Sequence, residues 1–147
     1  MIKISTRGRY ALRAMVDLAQ HGDGRPVPRQ GIAERQEISA DYVAQFFRLL
    51  ESAGLVEGAK GPGGGYRLAR DATTIIAGDV VRAVEGPVAV VACVLANPNG
   101  APACNRVDGC ATHLLWQRVS EAVTEVLDSV TLKDLAIQAQ QLTQGVM

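Results

Sequence analysis

Three cysteines and one histidine fall within a single window of 21 residues, in the pattern Cys-x10-Cys-x5-Cys-x2-His. They are Cys93, Cys104, Cys110 and His113, and the chain has no other cysteine. Three thiolates and one imidazole make a complete set of four ligands for a metal ion or an iron–sulfur cluster. The pattern therefore predicts a metal or cluster site in this window.

The spacing of these residues favours a cluster over a single zinc ion. Structural zinc sites usually place about two to four residues between paired ligands, and here only Cys110 and His113 are that close. Widely spaced cysteines on a loop rich in glycine and proline can wrap a larger inorganic core. An imidazole in place of one thiolate makes the site more positive and adds a titratable group, and both properties tune a cluster's potential.

Taken singly, two of the four residues have simpler interpretations. Cys93 lies in the apolar run 88–96, which suits an ordinary buried cysteine, and His113 alone fits an ordinary histidine at a helix end. The set of four in one window is much harder to explain in that way. Because the chain has only two histidines and no Ser/His/Asp or Cys/His base arrangement, we expect that it is not an enzyme.

The rest of the composition places these thiols in context. No apolar run in the 147 residues approaches the length of about 20 that a membrane span needs, and the first residues lack a signal-peptide pattern. We therefore expect a cytoplasmic protein, with no membrane partner and with reduced thiols. Residues 1–70 hold 11 Lys/Arg and 7 Asp/Glu, whereas residues 71–147 hold 4 and 8. This asymmetry suits a DNA-facing domain joined to a separate sensor or dimerisation part.

The first third of the chain predicts three helices. Apolar residues at three- and four-residue spacing predict a helix over 5–21. A short second helix over 28–35 starts at Pro28, and a third over 39–53 is capped by Ser39. A short helix, a tight turn and a further helix are typical of a helix-turn-helix, whose second helix enters the major groove of DNA.

The third predicted helix has two distinct sides. Its buried side is predicted to comprise Tyr42, Val43, Phe46, Leu49 and Leu50. The opposite, outer stripe comprises Asp41, Ala44, Gln45 and Arg48.

A glycine-rich hairpin is predicted directly after this helix. The runs 55–57 and 66–68 are β-like, and residues 58–65 between them include five glycines. A hairpin in this position is typical of a wing, whose backbone approaches a phosphate or a narrow groove and whose Lys60 and Arg67 bring positive charge. A nucleotide phosphate loop is disfavoured because no helix begins directly after the glycines, and a plain surface turn is the other alternative.

The candidate DNA contacts belong to three groups. The helix contributes Ser39, Asp41, Tyr42, Gln45 and Arg48; the wing contributes Lys60, Gly61, Pro62, Gly63, Gly64 and Arg67; the N-terminal region contributes Arg7 and Arg9. We expect Gln45, Asp41 and Arg48 to read or flank bases. The wing is expected to address the minor groove or backbone, and the two N-terminal arginines are expected to contact phosphate.

Further helices are predicted after the wing. A helix is predicted over 75–85, the run 88–96 is ambiguous between a strand and a buried helix, and 97–109 is dense in turn formers. Thr112 is predicted to cap a long helix over 113–129 with a continuous apolar stripe.

So long a stripe in a small chain suggests that a second copy of the helix covers it. A symmetric dimer would place two recognition helices on a pseudo-palindromic DNA site. A final short helix is predicted after Thr131, followed by a frayed tail over 138–147.

These elements predict a mostly α fold with a small β-hairpin wing: a winged helix-turn-helix domain plus a long dimerisation helix. We expect a DNA-binding domain over 1–85, a cluster-binding loop over 86–111, and the dimerisation helix with its tail over 112–147. A ligand-bearing segment joined to a DNA-binding module indicates a metal- or redox-sensing transcription regulator.

Three motifs also carry a family resemblance. Gly8-Arg9-Tyr10-Ala11, Gly61-Pro62-Gly63-Gly64-Gly65-Tyr66 and Cys110-Ala111-Thr112-His113-Leu114-Leu115-Trp116 resemble the IscR-type iron–sulfur cluster regulators, in a family of bacterial winged-helix repressors. The resemblance implies a homodimer in which each subunit holds a [2Fe–2S] cluster on Cys93, Cys104, Cys110 and His113. It also implies that cluster occupancy controls binding to operator DNA and that the iron–sulfur assembly machinery is a partner.

Differences within the family sharpen this expectation. Nitric-oxide-sensing relatives resemble a version with an aspartate at the place of Arg9, serving a [4Fe–4S] cluster. Arg9 cannot ligate iron and His113 is present, so [2Fe–2S] is favoured over [4Fe–4S] or zinc. The Cys93–Cys104 spacing is longer than the family's, which bears on the role of Cys93 and on the cluster type. Asp41, Ala44 and Lys60 replace the usual serine, glutamate and arginine, so we expect a different operator sequence.

Two other functions stay open at this point. One is a zinc- or thiol-redox-sensing winged-helix regulator without a cluster. The other is a winged-helix module that binds a partner protein.

Overall fold

The computed structural model describes residues 3–95, 99–101 and 104–145. Within these residues the elements, in chain order, are α1 (Thr6–His21), α2 (Arg29–Gln36), α3 (Ala40–Ser52), β1 (Val56–Ala59), β2 (Gly65–Leu68), α4 (Ala77–Glu85), α5 (Ala111–Asp128) and α6 (Leu132–Thr143). Two short 3-10 turns, Ala92–Val94 and Val107–Gly109, lie between α4 and α5. The predicted fold class, mostly α with one small hairpin, is confirmed.

The hydrophobic core forms between α1, α3 and α4. Ser5 caps α1, because its Oγ accepts a hydrogen bond from the Gly8 amide at 3.1 Å. The start of α6 also belongs to this core, since Leu132 is fully buried. The large side chains shielded with it include Met15, Leu18, Ile32, Val43, Phe46, Phe47, Leu50, Ile75 and Val80.

A buried carboxylate fixes α2 against α1. Asp17 is 1% exposed, and it accepts hydrogen bonds from Arg35 Nε at 2.9 Å, Arg35 Nη2 at 2.8 Å and Gln36 Nε2 at 2.9 Å. A two-pronged guanidinium contact of this kind compensates a charge that is otherwise costly to bury. The first half of the helix-turn-helix is therefore held rigidly on α1.

On α3, the prediction that Leu49 is buried is wrong. Leu49 is 37% exposed, whereas Phe47 is fully buried. The ring of Tyr66 in β2 stacks on Phe47, with centroids 4.4 Å apart and an interplanar angle of 14°. The wing therefore covers Phe47, so the buried side of α3 includes the side that faces the wing. Helical spacing alone does not predict this.

Three predictions for the second half of the chain are also wrong. Helix α5 begins at Ala111 with Cys110, not Thr112, at its N-cap. The described part of 88–96 is neither a strand nor a buried helix, because its Val90 amide bonds to a side chain of α5 instead of a ladder. Helix α6 continues to Thr143, so most of the tail expected to fray is helical. Residues 96–98, 102–103 and 146–147, where parts of the predicted loop and tail fall, lie outside the described residues.

Helix α5 is largely exposed to solvent. Of its 18 residues only Ser120 is buried, and Leu115 and Val126 are 48% and 65% exposed. With Val119 and Ala122 these two residues form one apolar stripe at spacings of four, three and four residues. In the described part of the chain, no helix combines the length and apolar character that crossing a membrane requires.

Candidate functional site

The outer face of α3 carries three exposed polar side chains in one stripe, Asp41, Gln45 and Arg48. They follow the spacing i, i+4 and i+7, so they share one side of the helix. Before them, α2 ends in a left-handed residue, Glu37 (φ 56°), and Ser39 caps α3 by accepting from the Tyr42 amide at 3.1 Å. This is a helix-turn-helix that presents the stripe outward.

The N-terminal arginines lie on the exposed side of α1. Both Arg7 and Arg9 are exposed, and the Arg9 guanidinium lies 6.0 Å from the centre of the Tyr10 ring. Tyr10 in turn meets the Tyr42 ring edge-on at 6.0 Å. These aromatic contacts place Arg9 close to the start of α3.

Two glycines where the hairpin loop meets β2 are required by internal packing. A Cβ at Gly64 would collide with the Ala59 carbonyl, and one at Gly65 would collide with the Val27 backbone. Val27 and Tyr66 exchange two backbone hydrogen bonds of 2.7 and 2.9 Å. These glycines therefore let the hairpin close on itself and on the strand-like residue before α2.

The tip of the hairpin has the opposite character. Gly61 and Gly63 adopt positive φ values of 84° and 75°, and the space around each is open. Lys60 and Pro62 are exposed beside them. The tip is therefore the part of the wing whose backbone is free to approach a phosphate or a groove.

Arg67 has a partner that sequence reasoning missed. Its Nε lies 3.1 Å from Glu57 Oε2, directly across the hairpin. Both side chains are about half exposed, so the pair is worth at most about 1 kcal/mol. Arg67 thus remains accessible to DNA, with its charge partly offset.

Residues 86–110, between α4 and α5, carry three of the predicted ligands and are called the ligand segment. From Val90 to Cys93 this segment runs along α5 towards the N-terminus of that helix. The Val90 amide donates to Ser120 Oγ at 3.1 Å. Three residues further on, Cys93 Sγ lies 3.4 Å from His113 Nδ1. The structure therefore brings together two of the four predicted ligands, which lie 20 residues apart in the sequence.

Cys110 occupies the N-cap of α5. The pKa of its thiol lies below the usual value, chiefly because the Thr112 hydroxyl contacts the sulfur at 3.1 Å. The His113 amide, the Thr112 amide and the Arg106 charge act in the same direction, whereas partial desolvation acts against them. The sulfur lies beside these amides without the geometry of a capping hydrogen bond. This lower pKa shifts the Cys110 thiol towards the thiolate, the form that binds metals.

Cys104, like Cys93 and Cys110, is a half-buried free thiol. Among the described residues, no three His, Cys, Asp or Glu side chains are grouped closely enough to hold a metal ion. The donor chemistry nevertheless fits an iron–sulfur cluster, because the chain offers three free thiols and an imidazole. Cys93 contacts His113, and Cys110 precedes the first turn that carries His113. Ligation by all four side chains therefore requires a rearrangement of these donors.

Sequence comparisons agree with this geometry. The Rrf2 family, described as an iron-dependent transcriptional regulator, matches residues 4–138. The chain is 43% identical over 134 residues to the HTH-type transcriptional regulator IscR of Vibrio vulnificus, which covers 91% of this chain and 77% of that protein. It is 40% identical over 141 residues to IscR of Vibrio cholerae, covering 96% and 79%.

Solved structures are similar in the same way. T. potens IscR superposes with a TM-score of 0.74 at 39% identity, covering 93% of this chain and 88% of that one. CymR (YrzC), the global cysteine regulator of B. subtilis, gives a TM-score of 0.75 at 38% identity, covering 94% and 98%.

The fold and its exposed recognition helix define a winged-helix transcription regulator that binds operator DNA. The chain belongs to the Rrf2 family of iron-dependent transcriptional regulators. Its relatives are regulators and not enzymes, in agreement with the expectation from the sequence.

Proposed function

We propose that an iron–sulfur cluster, of the [2Fe–2S] type, controls the operator binding of this regulator and is held by Cys93, Cys104, Cys110 and His113. The observation that carries the proposal is the contact between the Cys93 thiol and the His113 imidazole, next to the thiolate-favouring N-cap at Cys110. The family's description as iron-dependent and the IscR relatives support it. The cytoplasmic iron–sulfur assembly machinery would load the site.

When bound, a cluster supplies a redox state and a lability that its surroundings tune. The chain's own contribution is positional. Ligation at Cys93, Cys104 and Cys110 would constrain the chain between them and would fix His113, which lies in the first turn of α5. The position of α5 then sets the spacing of two recognition helices.

We further propose that the protein acts as a homodimer through α5. The stripe of Leu115, Val119, Ala122 and Val126 repeats at the spacing of a coiled-coil seam, and its exposed side chains need a cover. Val126→Glu is expected to give a monomer in light scattering and to abolish operator binding. The neighbouring exposed change Glu125→Gln is expected to leave a dimer, and a dimeric Val126→Glu variant would remove this interface.

Anaerobic purification with iron, sulfide and zinc counted per subunit tests the cluster directly. About two irons and two sulfides with visible absorption are expected. Four of each would indicate a [4Fe–4S] cluster, zinc without sulfide would favour a zinc sensor, and neither metal would favour a thiol sensor. The last result would suit the likeness to CymR, a cysteine regulator.

The two histidines of the chain provide a matched pair of variants. His113→Ala is expected to lower iron and sulfide content and to shift the visible bands, because it removes a ligand. His21→Ala, at a side chain whose Nδ1 lies 2.9 Å from the Asp17 carbonyl oxygen in α1, is expected to keep both. Equal iron content in the two variants would exclude His113 as a ligand.

A further inference from the structure

Helix α5 is anchored to the DNA-binding domain at its C-terminal end. The turn after it pairs with the residues before α4, through Ala77 N–H to the Val130 carbonyl at 2.8 Å and Leu132 N–H to the Ile75 carbonyl at 2.9 Å. Leu132 and Ile75 are both fully buried. This end of α5 therefore cannot shift without moving the start of α4.

A tight polar contact lies beside this anchor. Asp128, the last residue of α5, rests against Gly78 of α4 so closely that a Cβ on Gly78 would overlap its carboxylate. Its Oδ1 lies 2.9 Å from Arg82 Nη2. The Oδ1 atom is buried and, among the described residues, has no hydrogen-bond partner. The ion pair with Arg82 is the polar contact that compensates its burial. The Asp128 side chain as a whole is 35% exposed, but its buried Oδ1 depends on this one arginine, so the contact is sensitive to small displacements.

The ion pairs continue from Arg82 to the wing. Arg82 Nη2 also lies 3.5 Å from Asp79 Oδ1, and Asp79 Oδ2 lies 3.5 Å from Arg70 Nη2. Arg70 follows β2 by two residues, directly after Ala69, whose amide bonds to the Leu55 carbonyl at the base of the hairpin. Four charged side chains thus link the end of α5 to the base of the wing.

The other end of α5 is held differently. His113 in its first turn and Ser120 near its middle contact the segment between α4 and α5, while Leu114 and Leu115 are exposed. With 18 residues, the helix is about 27 Å long. A small change in the direction of α5 at its N-terminal end therefore changes the orientation of the helix at its anchored C-terminal end, where Asp128 lies.

We propose that Arg82 is a positioning residue that transmits the orientation of α5 to the base of the wing, through Asp128 on one side and Asp79 and Arg70 on the other. This inference rests on the proposed cluster control. It adds a route by which the ligand segment alters the wing as well as the spacing of the recognition helices. Arg82 itself touches neither the ligands nor the recognition stripe.

Hydrogen–deuterium exchange of the full-length protein, without DNA, tests the route in the cluster-loaded and cluster-free forms. In the unaltered protein, loading is expected to change exchange in the wing, residues 56–68. In Asp128→Asn, with iron and sulfide content unchanged, that difference is expected to shrink about threefold or more. Glu125→Gln, an exposed carboxylate on the same helix, is the matched control and is expected to keep the full difference.

Arg70→Gln breaks the other end of the route at an exposed side chain, so the test holds even where Asp128→Asn folds poorly. The same loss of the wing response is expected. A full wing response in Arg70→Gln or in a folded Asp128→Asn would overturn the role of Arg82 and leave cluster control intact. No response to loading in the unaltered protein, together with unchanged operator affinity, would instead refute the cluster control on which the inference rests.

Discussion

The DNA-binding region and the ligand segment are stabilised in contrasting ways. From α1 to α4, apolar side chains fill a shared core, Asp17 ties two helices together, and the hairpin closes against Val27. Between α4 and α5, none of the described residues in 86–95, 99–101 and 104–110 is buried. The first region therefore has a packed core, to which Leu132 of α6 also contributes, whereas the described residues of the second region have none.

This contrast explains how a small chain can respond to a ligand. Regions that move in regulation are drawn from the least stable parts of a fold. The ligand segment is such a part, and it lies against one end of α5, whose other end is fixed to the DNA-binding core. A conformational change in the ligand segment can therefore reposition α5, which is a rigid helix.

The largest expected difference between the regions concerns stability. Phe46→Ala removes a fully buried ring and is expected to lower the free energy of unfolding by about 3–5 kcal/mol. Cys93→Ala in the cluster-free, reduced protein is expected to cost below about 1 kcal/mol, since its side chain is half exposed. Urea unfolding measures both, and comparable losses would show that the segment has a core of its own.

Substitution of one glycine in each region compares how tightly the two backbones are packed. Gly65→Ala is expected to cost about 1–3 kcal/mol, because its Cβ would meet the Val27 backbone. Gly109 in the ligand segment has open space around it, and Gly109→Ala is expected to change stability by less than about 0.5 kcal/mol. Thermal unfolding of the two variants measures this, and a Gly109→Ala loss as large as that of Gly65→Ala would contradict the contrast.

Within the DNA-binding region, base reading is expected to reside on α3. Gln45→Ala is expected to weaken binding to the specific operator by about 1–3 kcal/mol and to leave binding to scrambled DNA unchanged. Fluorescence anisotropy on the two duplexes at one salt concentration measures the difference. Equal losses on both would assign Gln45 to phosphate contacts.

The smallest expected effect belongs to the wing tip. Lys60→Ala is expected to weaken binding to all sequences alike and to reduce the slope of log affinity against log salt by about one. A salt titration on specific and scrambled DNA measures this. An unchanged slope would mean that the tip stays away from the phosphates.

Local signals explain why the DNA-binding region was predictable from the sequence. Ser5 and Ser39 act as the helix caps that their residue type predicts, and the glycines mark a real hairpin. The sequence also placed Asp41, Gln45 and Arg48 on one exposed stripe. Their spacing within a single helix decides this, independently of the rest of the fold.

Contacts between distant elements explain what was missed. Burial of Phe47 depends on Tyr66 in the wing, and the Arg82–Asp128 pair joins residues 46 positions apart. No local sequence pattern predicts either contact. In the ligand segment, the sequence supplied the donor set, and the contact between Cys93 and His113 supports half of it. Cys104 lies in a stretch whose described residues are not buried, so no packing pattern in the sequence predicts its place relative to the others.

Operator affinity in one anaerobic preparation, measured before and after removal of the cluster at fixed salt, tests the central claim most directly. Coupling between a ligand site and a DNA site of this kind predicts a change of about 5- to 150-fold in the dissociation constant. The same dissociation constant in both states would contradict the account, because cluster occupancy would then carry no information to the DNA.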